Sequence, residues 1–345
     1  MKKYLLSKEG DFYKANLHCH TVISDGALTP EQIKQVYLEK GYSIVAFTDH
    51  DILIPHQDLK DDKFLPLNGF EIMIAEGQEK EVRVNGETSR DKGTCHICLI
   101  ALDKDNVKQI CHHRTAYYFE NSKAYASQVK FDEDKPDYIR SYTIECVNDV
   151  IKQARENGFF VTYNHPVWSM EDYSRYINYN GMNAMEIYNH DCYVCGFEEY
   201  NPRIYDEMLL SGKRIYCVAT DDNHNNKGSI EKDSFGGFTM IKAERLEYED
   251  VAKSLVNGNF YSSQGPLIEE LFYEDGVITV KCSNAKSICL NTGIRIKKIV
   301  YAEDGKALTQ ASFEVLDKYK YVRITVTDKD GKHAETNAYF IDQLK

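Results

Sequence analysis

The chain has 345 residues, enough for one large domain of about 250 residues and a smaller one. Its formal net charge of -12 argues against electrostatic capture of long nucleic acids or anionic membranes, which requires a basic surface. No apolar run approaches a membrane span, and residues 1–8 lack a signal-peptide core, so we expect neither. Ten scattered cysteines predict reduced thiols and a cytoplasmic location.

The first informative motif is Asn16-Leu17-His18-Cys19-His20, which runs on to Asp25. Side chains alternate along an extended segment, so His18 and His20 would face the same side. Two imidazoles followed by a carboxylate in the next turn are a natural start for a metal site. The alternative is a pair of solvated histidines on an edge strand, and the choice depends on whether further ligands exist.

Strands and helices then alternate. Residues 29–32 form a capping box that starts a helix, and Gly41 ends that helix. The apolar run 42–47 predicts a parallel strand covered on both faces, because it lacks the alternation of a half-exposed strand. This strand ends at Thr48-Asp49-His50, so a further histidine lies at the end of a strand.

The next segment predicts a pair of strands joined by an insertion. A short strand ends at Glu71, and the polar segment 76–93 predicts a hairpin with Asn85-Gly86 as its turn. A strand over 94–101 follows, with His96 near its start. If this strand runs in the opposite sense to the one before it, His96 reaches the same edge as the other candidates.

Residues 103–140 show weak patterning, and regular spacing returns after them. The predicted elements are helices over 147–154, 204–210 and 248–256, and strands over 159–163, 185–188, 215–219 and 238–241. Asn164-His165-Pro166 follows the first of these strands, and Asp222-Asn223-His224 follows the third.

The tail differs in character. After Gly265-Pro266, short alternating runs separated by turns predict an antiparallel β-sandwich. The repeating strand–helix units before it indicate an α/β barrel, in which chemistry usually lies at the carboxyl ends of the strands. We therefore predict two domains, a metal-dependent hydrolase barrel over residues 1–265 and a small β-sandwich over 266–345.

Nine candidate metal ligands lie at the ends or starts of the predicted strands. Each alone could be a capping carboxylate or a structural histidine, but their joint placement predicts a metal site. They are His18, His20, Asp25, His50, Glu71, His96, His165, Asp222 and His224.

The order of these motifs resembles the PHP (polymerase and histidinol phosphatase) superfamily over residues 11–265. This resemblance implies a distorted seven-stranded β/α barrel that holds a trinuclear metal site. Residues 235–238 and 258–266, followed by the β-rich tail, resemble the CehA/McbA-type branch, which says little about the substrate.

The resemblance also implies a role for each ligand and two to three divalent ions of zinc, manganese or iron. A first ion would be held by His18, His20, Glu71 and Asp222, a second by Asp25, His50 and His224, and a third by His96 and His165 with Glu71 bridging. Catalysis would depend chiefly on Asp25, His50, Asp222 and His224.

These features predict a phosphoesterase acting on a small anionic substrate, such as a nucleotide or sugar phosphate, with a metal-bridging hydroxide as nucleophile. Three divalent ions against three carboxylates leave a charge of about +3, which suits a phosphate dianion. Arg114, Arg140 and Lys227 are the candidate phosphate-binding cations.

Two alternatives stay open. The same site could hydrolyse a carboxylic ester, amide or carbamate, although barrel amidohydrolases usually use a bridging lysine and lack the Asp-x-His pair seen at Asp222 and His224. A metal-stabilised module without catalysis is also conceivable, but the full ligand set argues against it. The pattern is silent on the oligomeric state.

Overall fold

The structure of the protein is a computed structural model, which describes residues 2–78, 93–226 and 228–345. The predicted hairpin turn Asn85-Gly86 and the candidate cation Lys227 lie outside the described residues.

The described part of the chain contains seven α-helices. They are α1 (Pro30–Glu39), α2 (Ile144–Glu156), α3 (Tyr173–Tyr176), α4 (His190–Val194), α5 (Pro202–Leu210), α6 (Tyr248–Asn257) and α7 (Ile341–Leu344). The predicted capping box is confirmed, because the Thr29 hydroxyl accepts from the Gln32 backbone and the Gln32 side chain accepts from the Thr29 N–H. Three 3₁₀-helices cover Gln57–Leu59, Glu120–Gln128 and Ile230–Lys232.

Eight strands lie in the first two thirds of the chain: β1 (Lys3–Tyr4), β2 (Asp11–Asn16), β3 (Ile44–Phe47), β4 (Leu65–Ala75), β5 (Thr94–Ala101), β6 (Phe159–Tyr163), β7 (Ala184–Asn189) and β8 (Tyr216–Thr220). Ten more follow: β9 (Phe238–Ala243), β10 (Phe260–Ser263), β11 (Ile268–Glu274), β12 (Val277–Ala285), β13 (Ser287–Asn291), β14 (Lys297–Tyr301), β15 (Leu308–Glu314), β16 (Tyr321–Thr327), β17 (His333–Thr336) and β18 (Tyr339–Phe340).

One large mixed sheet organises the α/β fold. Its strand order is β14-β13-β16-β17-β10-β9-β2-β3-β4-β5-β6-β7-β8, with β18 paired to β16. The neighbours β2-β3-β4 and β6-β7-β8 are parallel, whereas β5 runs antiparallel to both β4 and β6. Every residue of β3, β4, β5, β6 and β7 is buried, which is the physical reason that their sequences are predominantly apolar.

The reversed direction of β5 confirms one sequence expectation and places a ligand candidate. In the β4–β5 register, His96 lies opposite Met73, two residues beyond Glu71. β4 itself continues to Ala75 and does not end at Glu71 as predicted, because the antiparallel partner extends its hydrogen bonding. Glu71 is therefore held within a rigid strand.

The segments that follow β2 and β8 are joined by backbone hydrogen bonds. His20 N–H donates to the Asn223 carbonyl at 3.1 Å, and Asp222 N–H donates to the His18 carbonyl at 2.9 Å. These bonds tie the first and last parallel strands of the group together at the end where the candidate ligands lie.

The C-terminal residues are rich in β-strands, as predicted. A second sheet has the order β1-β11-β12-β15, so the N-terminal β1 joins strands from the tail. The large sheet also runs through the predicted boundary after residue 265, since β10 pairs with both β9 and β17. The two parts of the chain therefore share a continuous hydrogen-bonded sheet.

Across the ranges that the structure describes, none of the helices combines the length and the apolar character that crossing a bilayer demands.

A buried charge network links α5 to the C-terminal strands. Arg323 on β16 is 1 % exposed, and its guanidinium donates to both carboxylate oxygens of Asp206 at 2.8 and 2.9 Å. A further N–H of the same group donates to Glu335 on β17 at 2.7 Å. Removing one member of such a network leaves buried charge without a partner, which is strongly destabilising.

We predict that Arg323→Ala lowers the free energy of unfolding by about 3–5 kcal/mol, because Asp206 and Glu335 lose their buried counter-ion. Urea unfolding followed by circular dichroism measures the change. The matched control is Arg203→Ala, which removes an exposed pair with Glu207 on the same helix and should leave the midpoint nearly unchanged. Equal effects of the two substitutions would contradict the prediction.

Candidate metal centre

His18 and His20 lie immediately after β2, where the backbone is still extended. Both side chains are completely buried, and their Nε2 atoms are 3.1 Å apart. Their alternation predicted a shared direction, and the structure places them in that arrangement. Thr48 supports this segment, since its hydroxyl accepts from the N–H of Cys19 at 2.9 Å.

Asp25 lies in a turn that a second carboxylate organises. Asp49 is buried and accepts from the N–H of Thr21 at 2.7 Å and from the hydroxyl of Ser24 at 2.8 Å. This turn brings the Asp25 carboxylate to 3.2 Å from His224 Nε2 and 3.7 Å from His50 Nε2. Asp49 therefore shapes the turn, and Asp25 faces the histidines.

Glu71 occupies the centre of the cluster. Its side chain is 1 % exposed, and its two oxygens lie 3.0–3.5 Å from nitrogens of five imidazoles, those of His18, His20, His50, His96 and His165. Asn164 adds a neutral donor, with its amide 2.7 Å from Glu71 Oε1.

Asp222 and His224 close the cluster from the end of β8. Asp222 Oδ1 lies 3.1 Å from His18 Nε2 and 3.0 Å from His20 Nε2. His224 Nδ1 donates to the carbonyl of Asp222 at 2.9 Å, which leaves Nε2 directed at Asp25. Asp222 has a φ of 55°, a left-handed conformation that an aspartate tolerates better than most residues.

The structure brings all nine predicted ligands together. Groups whose ligand atoms lie within 4.8 Å of one another include His20, Asp25, His50 and His224, then His18, His20 and Asp222, and also His50, Glu71 and His96. His165 joins them through Glu71, 3.4 Å from its Nε2.

Buried polar atoms that make no hydrogen bond test whether this cluster fits metal ions. Within the described part of the chain, five buried side-chain atoms of the cluster lie close to other ligand atoms but make no hydrogen bond of normal geometry: His20 Nδ1, His50 Nδ1, Glu71 Oε2, His96 Nε2 and Asp222 Oδ1. Buried polar atoms rarely lack partners, so their concentration here indicates that they serve another ligand. Nitrogen and carboxylate oxygen donors suit zinc, manganese and iron, and the residues therefore fit divalent ions.

The cluster perturbs the protonation of its members in two directions. Burial disfavours the imidazolium ion and lowers the pKa of His20 and of His96 to about 4. Burial acts likewise on His50 and His224, but their carboxylate neighbours outweigh it and raise the pKa to about 9 and about 10.

The carboxylates respond in the complementary way. Burial raises the pKa of Asp25, Glu71 and Asp222, yet the surrounding imidazoles outweigh burial and hold each pKa well below the usual carboxyl range. The three groups are therefore anionic, which is the form that binds a cation.

Three further acidic side chains around the cluster escaped the sequence analysis. They are Asp49, Asp221 and Glu186, of which the last lies on β7. Asp221 accepts hydrogen bonds from the backbone N–H groups of residues 235–237. Glu186 carried a usable signal, because it is a charged residue inside the apolar run 184–188. All three are buried, and each accepts several hydrogen bonds.

Two of the predicted phosphate-binding cations, Arg114 and Arg140, already pair with carboxylates of the protein. Arg114 donates to Asp137 at 2.7 Å and to the carbonyls of Glu133 and Lys135. Arg140 is 1 % exposed and pairs with Asp51, the neighbour of His50. A phosphate would have to exchange with these partners, so the assignment of Arg114 and Arg140 to the substrate stays a prediction.

Aromatic rings flank the cluster on two sides. Trp168, the only tryptophan of the chain, lies edge-on to His96 and His165, with ring centroids 5.2 and 4.9 Å away. Phe119 lies 4.6 Å from the ring of His50. Both aromatic side chains are partly exposed, so they line the edge of the buried cluster.

Comparison with known proteins finds a family match for the first part of the chain. Residues 16–148 match the family model of the PHP domain, a stretch that includes six of the nine ligands: His18, His20, Asp25, His50, Glu71 and His96. The match confirms, for this stretch, the resemblance to the PHP superfamily that the motifs predicted.

Solved structures provide more distant similarities. A two-domain protein from Bacteroides vulgatus, containing a predicted PHP-like metal-dependent phosphoesterase, is 15% identical over 98% of this chain and 97% of its own, with a TM-score of 0.44. An amidohydrolase from Chromobacterium violaceum, solved with sulfate and no metal, is 14% identical over 63% of this chain and 89% of its own, with a TM-score of 0.36. Similarity this low does not establish a shared activity. No curated protein matches the chain.

We predict that Mn²⁺ or Co²⁺ added to metal-free protein quenches the fluorescence of Trp168, because its indole contacts two candidate ligands, His96 and His165. Emission titrated against each ion, with binding measured in parallel by equilibrium dialysis, tests this. Binding without any change in emission would place the ions away from this end of the cluster.

Proposed function

We propose that the protein is a metal-dependent phosphoesterase that hydrolyses a small phosphorylated substrate of the nucleotide or sugar phosphate class. The observation that carries the proposal is the buried convergence of five imidazoles on the Glu71 carboxylate, with Asp25, Asp222 and His224 completing the set. The match to the PHP domain supports it independently of the geometry.

The proposed ligand roles are those that the family resemblance implies, and several short distances support them. Glu71 and Asp222 both face His18 and His20, which defines the first position. The second position is assigned to Asp25, His50 and His224, and the third to His96 and His165 with Glu71 shared. When bound, divalent ions polarise phosphoryl oxygens and lower the pKa of water towards neutrality.

The number of carboxylates among the ligands determines the net charge of the metal-loaded site. Three anionic carboxylates are few against two or three divalent ions, so the loaded site is cationic and favours a phosphate dianion over a neutral ester. Asp25 and His224 form the most accessible part of the ligand set, with side chains 12 % and 16 % exposed, so we assign the substrate to their side. Asp25, His50, Asp222 and His224 are the proposed catalytic residues.

The finer features of the fold belong to the same proposal. They are a distorted seven-stranded barrel over residues 1–265, a C-terminal β-sandwich domain over 266–345, the CehA/McbA-type branch and a cytoplasmic location. The hydrogen bonds between the segments after β2 and β8 support the barrel. The scattered placement of the ten cysteines is compatible with a reducing compartment.

A phosphate-release screen tests the proposed function. Purified protein is assayed on nucleotides, sugar phosphates and a generic aryl phosphate, with metal content measured on the same sample. We expect about two to three equivalents of zinc, manganese or iron per chain and release of phosphate from at least one class. Stoichiometric metal with activity only on carboxylic esters, amides or carbamates would replace the proposal with that alternative.

We further predict that His20→Ala and Asp222→Asn each lower kcat by more than about 100-fold, because the first removes an imidazole ligand and the second replaces an anionic ligand with a neutral amide. Steady-state kinetics and circular dichroism measure activity and folding. The controls are His333→Ala and Asp61→Asn, which alter side chains outside the cluster. Full activity in either ligand variant would refute the assigned site.

A further inference from the structure

Glu186 is a fully buried acidic group next to the cluster that is not among the nine ligands. It lies on β7 between Met185 and Ile187, and its residue exposure is 0 %. A carboxylate in this environment needs hydrogen-bond donors, because burial removes its hydration. The donors that it uses connect it to the ends of three other strands.

Each oxygen of Glu186 accepts two hydrogen bonds. Oε1 accepts from His18 Nδ1 at 2.8 Å and from the Thr220 hydroxyl at 2.6 Å. Oε2 accepts from the backbone N–H of His165 at 2.9 Å and from the Asn189 amide at 2.9 Å. Since a carboxylate offers about four acceptor sites, Glu186 is saturated and does not itself serve as a metal ligand.

The bond to His18 determines which nitrogen faces the cluster. A carboxylate only accepts, so His18 Nδ1 carries the proton and donates it. The opposite nitrogen, Nε2, is then directed towards Glu71 and Asp222, at 3.3 and 3.1 Å. Glu186 therefore sets both the ring orientation and the tautomer of this histidine.

The other two bonds act on the neighbouring ligands. His165 has a φ of 22°, a sparsely populated conformation for a residue with a side chain, and Glu186 holds its backbone N–H. Asn189 divides its amide between Glu186 and Asp222 Oδ2, the second bond measuring 3.0 Å. One carboxylate thus contacts His18 directly, fixes the backbone of His165 and reaches Asp222 through one amide.

We propose that Glu186 is a positioning residue of the metal centre, and that its hydrogen bonds hold His18, His165 and Asp222 in the geometry that binds metal. This inference rests on the proposed function, since it assumes that the nine residues bind divalent ions. Glu186 acts through the ligands and touches neither the ions nor the substrate.

The test is the metal affinity of Glu186→Gln. A glutamine of the same shape replaces one acceptor oxygen with an NH₂ donor, which opposes either His18 Nδ1–H or the His165 N–H. We expect the affinity for Zn²⁺ or Co²⁺, measured by competition with a chromophoric chelator, to fall about 10- to 100-fold. The visible absorption of bound Co²⁺ should also change, because it reports ligand geometry.

Glu335→Gln is the matched control. Glu335 is a buried carboxylate that accepts from Arg323, Tyr200 and Thr325, on β17 and outside the ligand set. We expect this variant to unfold at lower urea concentration while its metal affinity and Co²⁺ spectrum match the wild type. Thus the control separates a general loss of stability from a loss of ligand positioning.

The outcomes separate this inference from the proposed function. Wild-type affinity and spectrum in Glu186→Gln overturn the positioning role and leave the phosphoesterase proposal intact. Absence of metal binding by the wild type overturns both. If Glu186→Gln does not fold, Thr220→Val removes one hydrogen bond to Oε1, and we expect a smaller fall of about 2- to 10-fold. An unchanged affinity in that variant also overturns the inference.

Discussion

The Glu71 carboxylate, buried among five imidazoles, is the interaction on which the arrangement of this molecule depends. An isolated carboxylate in such a place would be strongly unfavourable, so its surroundings must supply positive charge or strong donors. The strands β2, β3, β5, β6 and β8 each deliver a histidine or aspartate to this point. The order of the strands therefore brings side chains from distant parts of the chain to the buried Glu71 carboxylate.

A second layer of carboxylates keeps the ligand-bearing segments in place. Asp49 organises the turn that carries Asp25, and Asp221 accepts from three consecutive backbone N–H groups of residues 235–237. The segment 235–237 passes close to β8, since a Cβ on Gly237 would lie 2.2 Å from the Thr220 carbonyl oxygen. The cluster and its surroundings thus combine acidic groups that face the histidines with acidic groups that accept hydrogen bonds from the backbone.

The relation between the two parts of the chain shows where local patterns lose information. The change to short alternating runs after residue 265 correctly predicted a β-rich tail. It did not predict that β10 pairs with β17, or that β1 joins the strands of the tail, because cross-strand pairing over such separations leaves no local periodicity. Arg323 illustrates the same limit, since its partners Asp206 and Glu335 are 117 and 12 residues away.

The sequence by itself determined where the apolar strands lie along the chain and which polar motifs, such as His-x-His and Asp-x-His, follow them. These motifs contain the nine candidate ligands that the structure brings together. Those features follow from alternation and burial, which are local properties of the chain. Only the tertiary structure decided that Glu71 lies inside a continuous strand and that Glu186 accepts a hydrogen bond from His18. A buried carboxylate acquires its role from donors on other strands, and their positions are settled by folding.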